Sequence, residues 1–507
     1  MKRKTNLRKR SWLAALAGIC LLAVGFICYY AAVWYIDTYG SIGFDAILYT
    51  LTADIGGVDE GLIHSFLKYV MSEAPVWIAL YGVLLFFYGR RTIFVRILDR
   101  VDLRLYPFSN RMALLISAVI CGIMVGKAAE ITDFTTFVSN IGNPSALYEE
   151  VYRDPDDVQI QFPEKKRNLI YLYLESMETT FFSREEGGAL DYNVIPELYQ
   201  LAQENTNFSE NDQAGGFYAA PGTTWTIGAI VGQTAGIPLK TPVGAGQNGY
   251  GSDGVFLPGV TTLTDILREN GYNQAIMFGS NASFGGRRQY YTTHGVQQVF
   301  DLETAQTDGI IPEGYHNNFW GMEDLYLYEY AKQKLTELAA QEEPFSFTML
   351  TVDTHHVGGF RCALCDDVYD EQYEDVYSCA SKQAVAFIRW IQQQDFFENT
   401  TIVVAGDHPS MDGDYIYRNV HTGGTRRVYN CFIHGATESN TMKNRECSTF
   451  DMFPTTLAAL GCRIEGECLG LGTNLYSDTP TLLEKLGRKT FDNEVSRYSE
   501  YYVNHFF

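Results

Sequence analysis

Glu175 closes the apolar run NLIYLYLE, Asp407 and His408 close TIVVAGDH, and Thr223, Thr224 and Thr226 follow Gly222 in GGFYAAPGTTWTIGAIVGQTAGIPL. Each taken singly is an ordinary helix or turn cap. Taken together they make a different set: two carboxylates and an imidazole can hold a divalent cation, and a hydroxyl beside them can attack phosphorus. A threonine hydroxyl is a poor nucleophile until its pKa is lowered. A cation does that, and the same ion neutralises charge on phosphoryl oxygens during transfer. Gly222 lets the chain turn tightly into a helix, whose free N–H groups and dipole favour an alkoxide and a bound phosphate. Which threonine attacks stays open within that one turn. His355 and His356 end PFSFTMLTVDTHH, and a neutral His355 or a protonated His356 could manage the proton.

Positioning such residues requires a scaffold that brings distant segments to one edge. From residue 168 onward, apolar β-rich runs (NLIYLYLES, NQAIMFGS, PFSFTMLTVDTHH, NTTIVVAGDH, RVYNCFIHG) alternate with helical stretches such as TTLTDILREN and SKQAVAFIRWIQQQ. That alternation predicts an α/β fold with a largely parallel central sheet flanked by helices. Ligands in such sheets gather at the carboxyl ends of the strands, where Glu175, Asp407 and His408 fall.

The net charge of -22 is unevenly spread: residues 1–130 hold 14 Lys and Arg against 9 Asp and Glu, the remainder 24 against 51. So acidic a body disfavours nucleic acid and must build any phosphate site locally. Residues 11–36 carry no charge and exceed a membrane-spanning length; residues 74–89 and 112–128 are expected as further spans. Between the latter two, Arg90, Arg91, Arg96, Arg100, Arg104 and Arg111 form a basic loop. The positive-inside rule then puts the N-terminus and this loop in the cytoplasm and the body outside. The expected organisation is a transmembrane helical domain over 1–129, a partly helical linker over 130–166 and an extracellular or periplasmic domain over 167–507, in a multi-pass protein of the cell membrane.

Seven of the ten cysteines lie between Cys362 and Cys468, which fits an oxidising compartment. Cys431 with Cys447 and Cys462 with Cys468 are the expected disulfides, with at most one more from Cys362, Cys365 and Cys379. Cys362-Ala-Leu-Cys365 has the spacing of a redox or zinc motif, but no second pair stands at ligand spacing. The glycine-rich stretch 244–254 reads as a mobile loop, and Arg426 and Arg427 as solvated charge flanking a strand. His294, His316, His421 and His434 receive no role.

The motifs YLES, GTTWTIGAIVGQTAGIPL, DTHH and GDHPSM resemble the alkaline-phosphatase and sulfatase superfamily, in its branch of lipoteichoic acid synthases and phosphoglycerol transferases, most of all those acting on osmoregulated periplasmic glucans. The resemblance implies a sulfatase-like domain with metal ligands Glu175, Thr223, Asp407 and His408, and with Thr223 as nucleophile because it directly follows the glycine. It gives His355 to the substrate phosphate or leaving group and Arg287 to the head group. It implies phosphatidylglycerol as donor, a covalent phosphothreonine intermediate, an envelope glycan or glycolipid as acceptor, and the bilayer as partner. Mn²⁺ is the implied ion, with Zn²⁺ or Mg²⁺ as alternatives. Lipoteichoic acid synthases carry a histidine and a tryptophan where this chain has Phe278 and Gly285, which points away from a lipoteichoic acid substrate. Trp320 and Asp324 fall in a segment, NNFWGMEDLYLY, that the family also carries.

The nearest alternative is a phosphoethanolamine transferase. An inactive membrane-anchored glycan-binding or sensor protein is the alternative from another class, opposed by the presence of Glu175, Thr223, Asp407 and His408. A plain sulfatase would need a Cys- or Ser-x-Pro-x-Arg element, which the sequence lacks.

Overall fold

The computed structural model describes residues 2–40, 43–52, 60–88, 93–97, 101–105, 110–241, 255–312, 315, 319–420, 425–439 and 442–507. The stretch 244–254, His316, His421, Arg90, Arg91 and Arg100 lie outside them. The chain divides into two units, Met1–Ser41 with Asp59–Thr136, and Ile42–Val58 with Phe137–Phe507.

The first unit is built on helices α1 (Lys2–Tyr39), α3 (Glu60–Tyr88) and α4 (Asn110–Ile131); α2 (Phe44–Thr52) groups with the second unit. An antiparallel pair, Ile93–Ile97 with Val101–Leu105, lies between α3 and α4. Small residues let α1 and α4 approach closely: a Cβ on Gly18 would stand 2.9 Å from Ser117 Oγ, and one on Gly25 2.8 Å from Cys121 Cα. Leu16–Tyr39 and Arg111–Ile131, with mean hydropathy 2.2 and 2.1, are long and apolar enough to cross a membrane. Among the described residues these are the two such segments; the expected span at 74–89 falls in α3, which contains Pro75.

The second unit is a mixed α/β domain around a seven-stranded sheet. Its strands are β1 (Asn168–Leu174), β2 (Gly216–Tyr218), β3 (Asn273–Phe278), β4 (Gln298–Phe300), β5 (Phe345–Leu350), β6 (Thr400–Gly406) and β7 (Arg427–Ile433), in the order β2-β7-β6-β1-β5-β3-β4. β4, β3, β5, β1 and β6 run parallel; β7 is antiparallel to β6 and to β2. Every β-rich run expected from the sequence is a strand of this sheet. The runs are continuously apolar because both faces are covered. Leu169, Tyr171 and Tyr173 enter one core with Ile227, Ile230, Val231 and Phe453, while Ile170, Leu172 and Leu174 enter the other with Leu198, Leu335 and Phe387. Burying side chains of this size contributes about 1.5–3 kcal/mol each, which anchors helix α5 (Thr226–Ala235) on the first face and α6 (Gln372–Gln392) on the second.

Register then decides what meets at the sheet edge. Leu174 pairs with Gly406, Tyr173 with Leu350, and Phe278 with Leu350. Four strands therefore end level, and Glu175, Asp407 and Thr351 emerge side by side. Within the stretch expected as a linker, Phe134–Gly142 and Leu147–Val151 are helices, and from Phe137 onward the chain belongs to the second unit.

Candidate metal and phosphoryl-transfer site

Glu175, Asp407 and His408 are fully or almost fully buried, and one ligand atom from each lies within 4.8 Å of the others. His408 Nε2 stands 3.5 Å from Glu175 Oε1 and 3.3 Å from Asp407 Oδ2. One oxygen of each carboxylate is held by the protein: Asp407 Oδ1 accepts from the N–H groups of Ser176 (2.7 Å) and His408 (2.8 Å), and Glu175 Oε1 accepts from Ser176 Oγ (2.9 Å). Glu175 is itself fixed from behind, its N–H donating to Thr351 Oγ1 at 2.9 Å. Ser176 serves both carboxylates by adopting a left-handed φ of 54°, a conformation that costs free energy in a non-glycine residue and is concentrated at functional sites.

The second oxygens, Glu175 Oε2 and Asp407 Oδ2, are buried and have no hydrogen-bond partner. Unpaired buried carboxylate oxygens are costly. Burial, and next the Asp407 carboxylate, drive the Glu175 pKa well above its ordinary value. A divalent cation bound between the carboxylates and the imidazole would remove both penalties, so the residues fit the ion that the sequence implies.

The threonine turn places its hydroxyls in different surroundings. Gly222 adopts φ 80°, and a Cβ there would come within 2.7 Å of Pro238, so the tight turn needs glycine. The chain leaving that turn carries the Thr223 side chain inward. Thr223 is fully buried, its Oγ1 donates to Ala220 O at 2.8 Å and lies 2.8 Å from Thr449 Oγ1, and its methyl packs against Gly232. The hydroxyl that reaches the triad belongs to Thr226, half-buried at the first position of α5, with Oγ1 3.3 Å from His408 Nε2. The register of the helix start could have shown this: the apolar pattern begins at Ile227, which makes Thr226 the first-turn hydroxyl. Gln233, two turns further along the same face of α5, donates to Gly406 O (3.0 Å) and Asp407 O (3.3 Å) and accepts from Tyr171 OH (2.8 Å). It ties the helix to the end of β6.

Arg287 is 1% exposed. Its Nε donates to Phe284 O (2.9 Å) and its Nη2 to Ser280 Oγ (2.9 Å) and Asn281 O (2.7 Å), while Nη1 is buried without a partner. The guanidinium carbon lies 4.7 Å from the Phe278 ring centroid, 5.1 Å from Trp320 and 5.5 Å from Phe284. Burial lowers its pKa to about 10, so it stays charged, and the fields of Glu175 and Asp407 oppose the fall. The residue at 278 thus forms a face of the arginine's aromatic cage. Gly285 O accepts from Tyr49 OH at 2.6 Å, a bond from α2 that nothing in the sequence foretells.

His355 stacks between Trp320 (4.1 Å between centroids) and His356 (4.4 Å). Its Nδ1 lies 2.8 Å from His356 O; a carbonyl can only accept, so Nδ1 carries the hydrogen. Burial first, then the charges of His408 and Arg287, lower the His355 pKa to about 3. His355 is neutral, and its Nε2 is the lone-pair nitrogen.

The sulfatase family model matches residues 167–462, more than half of the chain. The chain belongs to the sulfatase family. Over 379 residues, 73% of its length, it is 30% identical to phosphoglycerol transferase I of Escherichia coli. It covers 45% of that protein, so it spans less than half the length of the curated relatives it matches. Among solved structures it is similar to the lipoteichoic acid synthase LtaP of Listeria monocytogenes (TM-score 0.49, 18% identity, 63% of this chain and 79% of that one). It is also similar to the integral membrane lipooligosaccharide phosphoethanolamine transferase A of Neisseria meningitidis (TM-score 0.49, 14% identity, 95% and 87%).

One expectation for this sulfatase-family chain is corrected. Arg426 and Arg427 are not solvated: Arg426 makes two bonds to the buried Glu178, one through Nε at 2.9 Å, and Arg427 pairs with Glu446 at 2.7 Å and Glu210 at 3.4 Å. No disulfide joins any of the ten cysteines in this structure. Cys431 points from β7 toward Leu201 O at 3.6 Å and Cys447 toward Gly216 O at 4.0 Å, each occupied by a separate part of the core. His294, given no role, is bound to Asp265 at 2.6 Å.

Proposed function

We propose that this chain is a membrane-anchored phosphotransferase that moves phosphoglycerol from phosphatidylglycerol to a hydroxyl of an envelope glycan or glycolipid, with its catalytic domain outside the cytoplasm. The observation that carries the reading is the Thr226 hydroxyl beside His408, next to two carboxylate oxygens that lack donors. A divalent cation held by Glu175, Asp407 and His408 would lower the pKa of a neighbouring hydroxyl and offset the charge of the phosphoryl oxygens. Mn²⁺ or Zn²⁺ suits this mixed oxygen and nitrogen set better than Mg²⁺.

In the first half-reaction Thr226 Oγ forms a bond to phosphorus as the bond to the diacylglycerol oxygen breaks. The glycerol phosphate is left esterified to Thr226. The proton of the hydroxyl ends on the leaving oxygen, and the lone pair of neutral His355 Nε2 can accept a hydrogen bond from the group that carries it. In the second half-reaction an acceptor hydroxyl attacks the same phosphorus, its proton takes the same route, and Thr226 is released. Arg287 offers its Nη1 N–H groups to a non-bridging phosphate or head-group oxygen, and its other three N–H groups hold it in place for that contact.

The test incubates the purified full-length chain with fluorescent phosphatidylglycerol or phosphatidylethanolamine and Mn²⁺, then follows diacylglycerol release and the mass of the peptide containing Thr226. Release from phosphatidylglycerol with a glycerophosphoryl increment on Thr226 supports the reading. Consumption of phosphatidylethanolamine alone would move the assignment to a phosphoethanolamine transferase, and an increment on Thr223 or Thr224 would overturn the nucleophile.

A further inference from the structure

The Cys362-Ala-Leu-Cys365 motif finds its missing partner only in three dimensions. Cys362 and Cys365 lie in the loop after β5, and Cys379 lies on α6, about two turns beyond its start at Gln372. Cys362 Sγ stands 3.7 Å from Cys365 Sγ and 3.8 Å from Cys379 Sγ, and all three sulfurs lie within 4.8 Å of one another. Four thiolates at a Zn–S distance of about 2.3 Å would be separated by tetrahedral edges of about 3.8 Å. The two measured separations match that edge.

A second, independent feature points to thiolate ligands. The N–H of Leu364 donates to Cys362 Sγ at 3.4 Å, and Gln383 Nε2 approaches Cys379 Sγ at 3.4 Å and Cys362 Sγ at 3.7 Å. Donors converging on sulfur stabilise its deprotonated form and orient it, as partners around a metal's ligands do. The loop is folded to present them. Asp375 Oδ1 on α6 accepts from the N–H groups of Val368 and Tyr369 at 2.9 and 3.1 Å, and Arg361 bonds Asp366 O at 2.9 Å and pairs with Asp367 at 2.9 Å. Cys362 and Cys379 are buried and Cys365 is half-buried, which leaves one side of the sulfur triangle accessible.

We propose that Cys362, Cys365 and Cys379 form a second metal site, a three-thiolate clip for Zn²⁺ whose fourth corner is taken by water or an exogenous ligand. The clip fastens to α6 the loop that begins with His355 and His356. It is separate from the carboxylate and imidazole site and takes a softer ion environment.

The test uses the full-length chain purified without chelator. Elemental analysis is expected to find zinc, lost by about one equivalent per chain in Cys379→Ser, while Glu175→Gln keeps that equivalent whatever ion the carboxylate site carries. Exchange with Co²⁺ should give a near-ultraviolet thiolate-to-cobalt charge-transfer band in the wild type and in Glu175→Gln, and none in Cys379→Ser. Cys365→Ser, at the half-buried position, repeats the measurement should Cys379→Ser fold poorly. Alkylation and peptide mass analysis that find a disulfide among the three cysteines, with no charge-transfer band, would overturn the proposal, as would full zinc content in both serine variants.

Discussion

Thr226 Oγ1 lies 3.3 Å from His408 Nε2, whereas the Thr223 hydroxyl, three residues earlier, is turned into the interior against Ala220 O and Thr449. Thr223 lies in the turn that Gly222 makes before α5, so its side chain follows the turn and not the helix, whereas Thr226 is the first residue of the helix itself.

Thr226→Ala should therefore lower kcat by at least about 10³-fold, since no other group takes over bond formation. Thr223→Val should retain transfer and instead lose stability, about 1 kcal/mol for each hydrogen bond removed. Diacylglycerol release and thermal unfolding of the two variants distinguish the roles. Loss of transfer in Thr223→Val with an unchanged melting temperature would reverse them.

Glu175 supplies a stability prediction with a definite sign. Its folded pKa is raised well above the ordinary 4.5 by burial and by Asp407. The stabilisation linked to its proton is complete below the unfolded value and is lost as pH rises from there through the folded value. Metal-free protein should thus melt at higher temperature at pH 5 than at pH 8. Added Mn²⁺ should raise the melting temperature more at pH 8, because the cation takes the proton's place. Glu175→Gln should flatten the pH dependence of the metal-free form and remove the response to Mn²⁺, all readable by calorimetry with chelator or metal present.

Arg287 is fixed by three hydrogen bonds and enclosed by Phe278, Phe284 and Trp320. A lysine keeps the charge and loses the planar fork. Arg287→Lys should raise KM for phosphatidylglycerol by about 10-fold with a smaller change in kcat, corresponding to about 1.4 kcal/mol of binding. An unchanged KM would remove Arg287 from substrate contact.

Gln233 bridges Tyr171, Gly406 and Asp407 without reaching the reacting atoms itself. Gln233→Leu leaves a buried hydroxyl and two carbonyls short of partners, at about 1–3 kcal/mol for each unsatisfied group. It also frees α5 to drift from β6. Displacement of a reacting group by about 1 Å can cost about 10²-fold in rate, so kcat should fall while the KM for lipid stays near the wild-type value. A fall in stability with unaltered kcat would limit Gln233 to a structural part.

The sequence alone determined the sheet and its contents. Continuous apolar runs of strand length alternating with helical stretches call for a sheet covered by helices on both faces, and a polar residue ending a parallel run then emerges at the carboxyl edge. Glu175, Asp407 and His408 were legible for that reason. What the tertiary structure decided are relations with no local pattern. The level strand ends that set Glu175 beside Asp407 are a register between segments more than two hundred residues apart. Which threonine hydroxyl faces His408 depends on where the turn at Gly222 releases the chain. The meeting of Cys379 with Cys362 and Cys365, the Glu178 partner of Arg426 and the bond from Tyr49 to Gly285 each depend on which surfaces the packed core brings within reach. Periodicity reports which face of an element is buried; it does not report what that face is buried against.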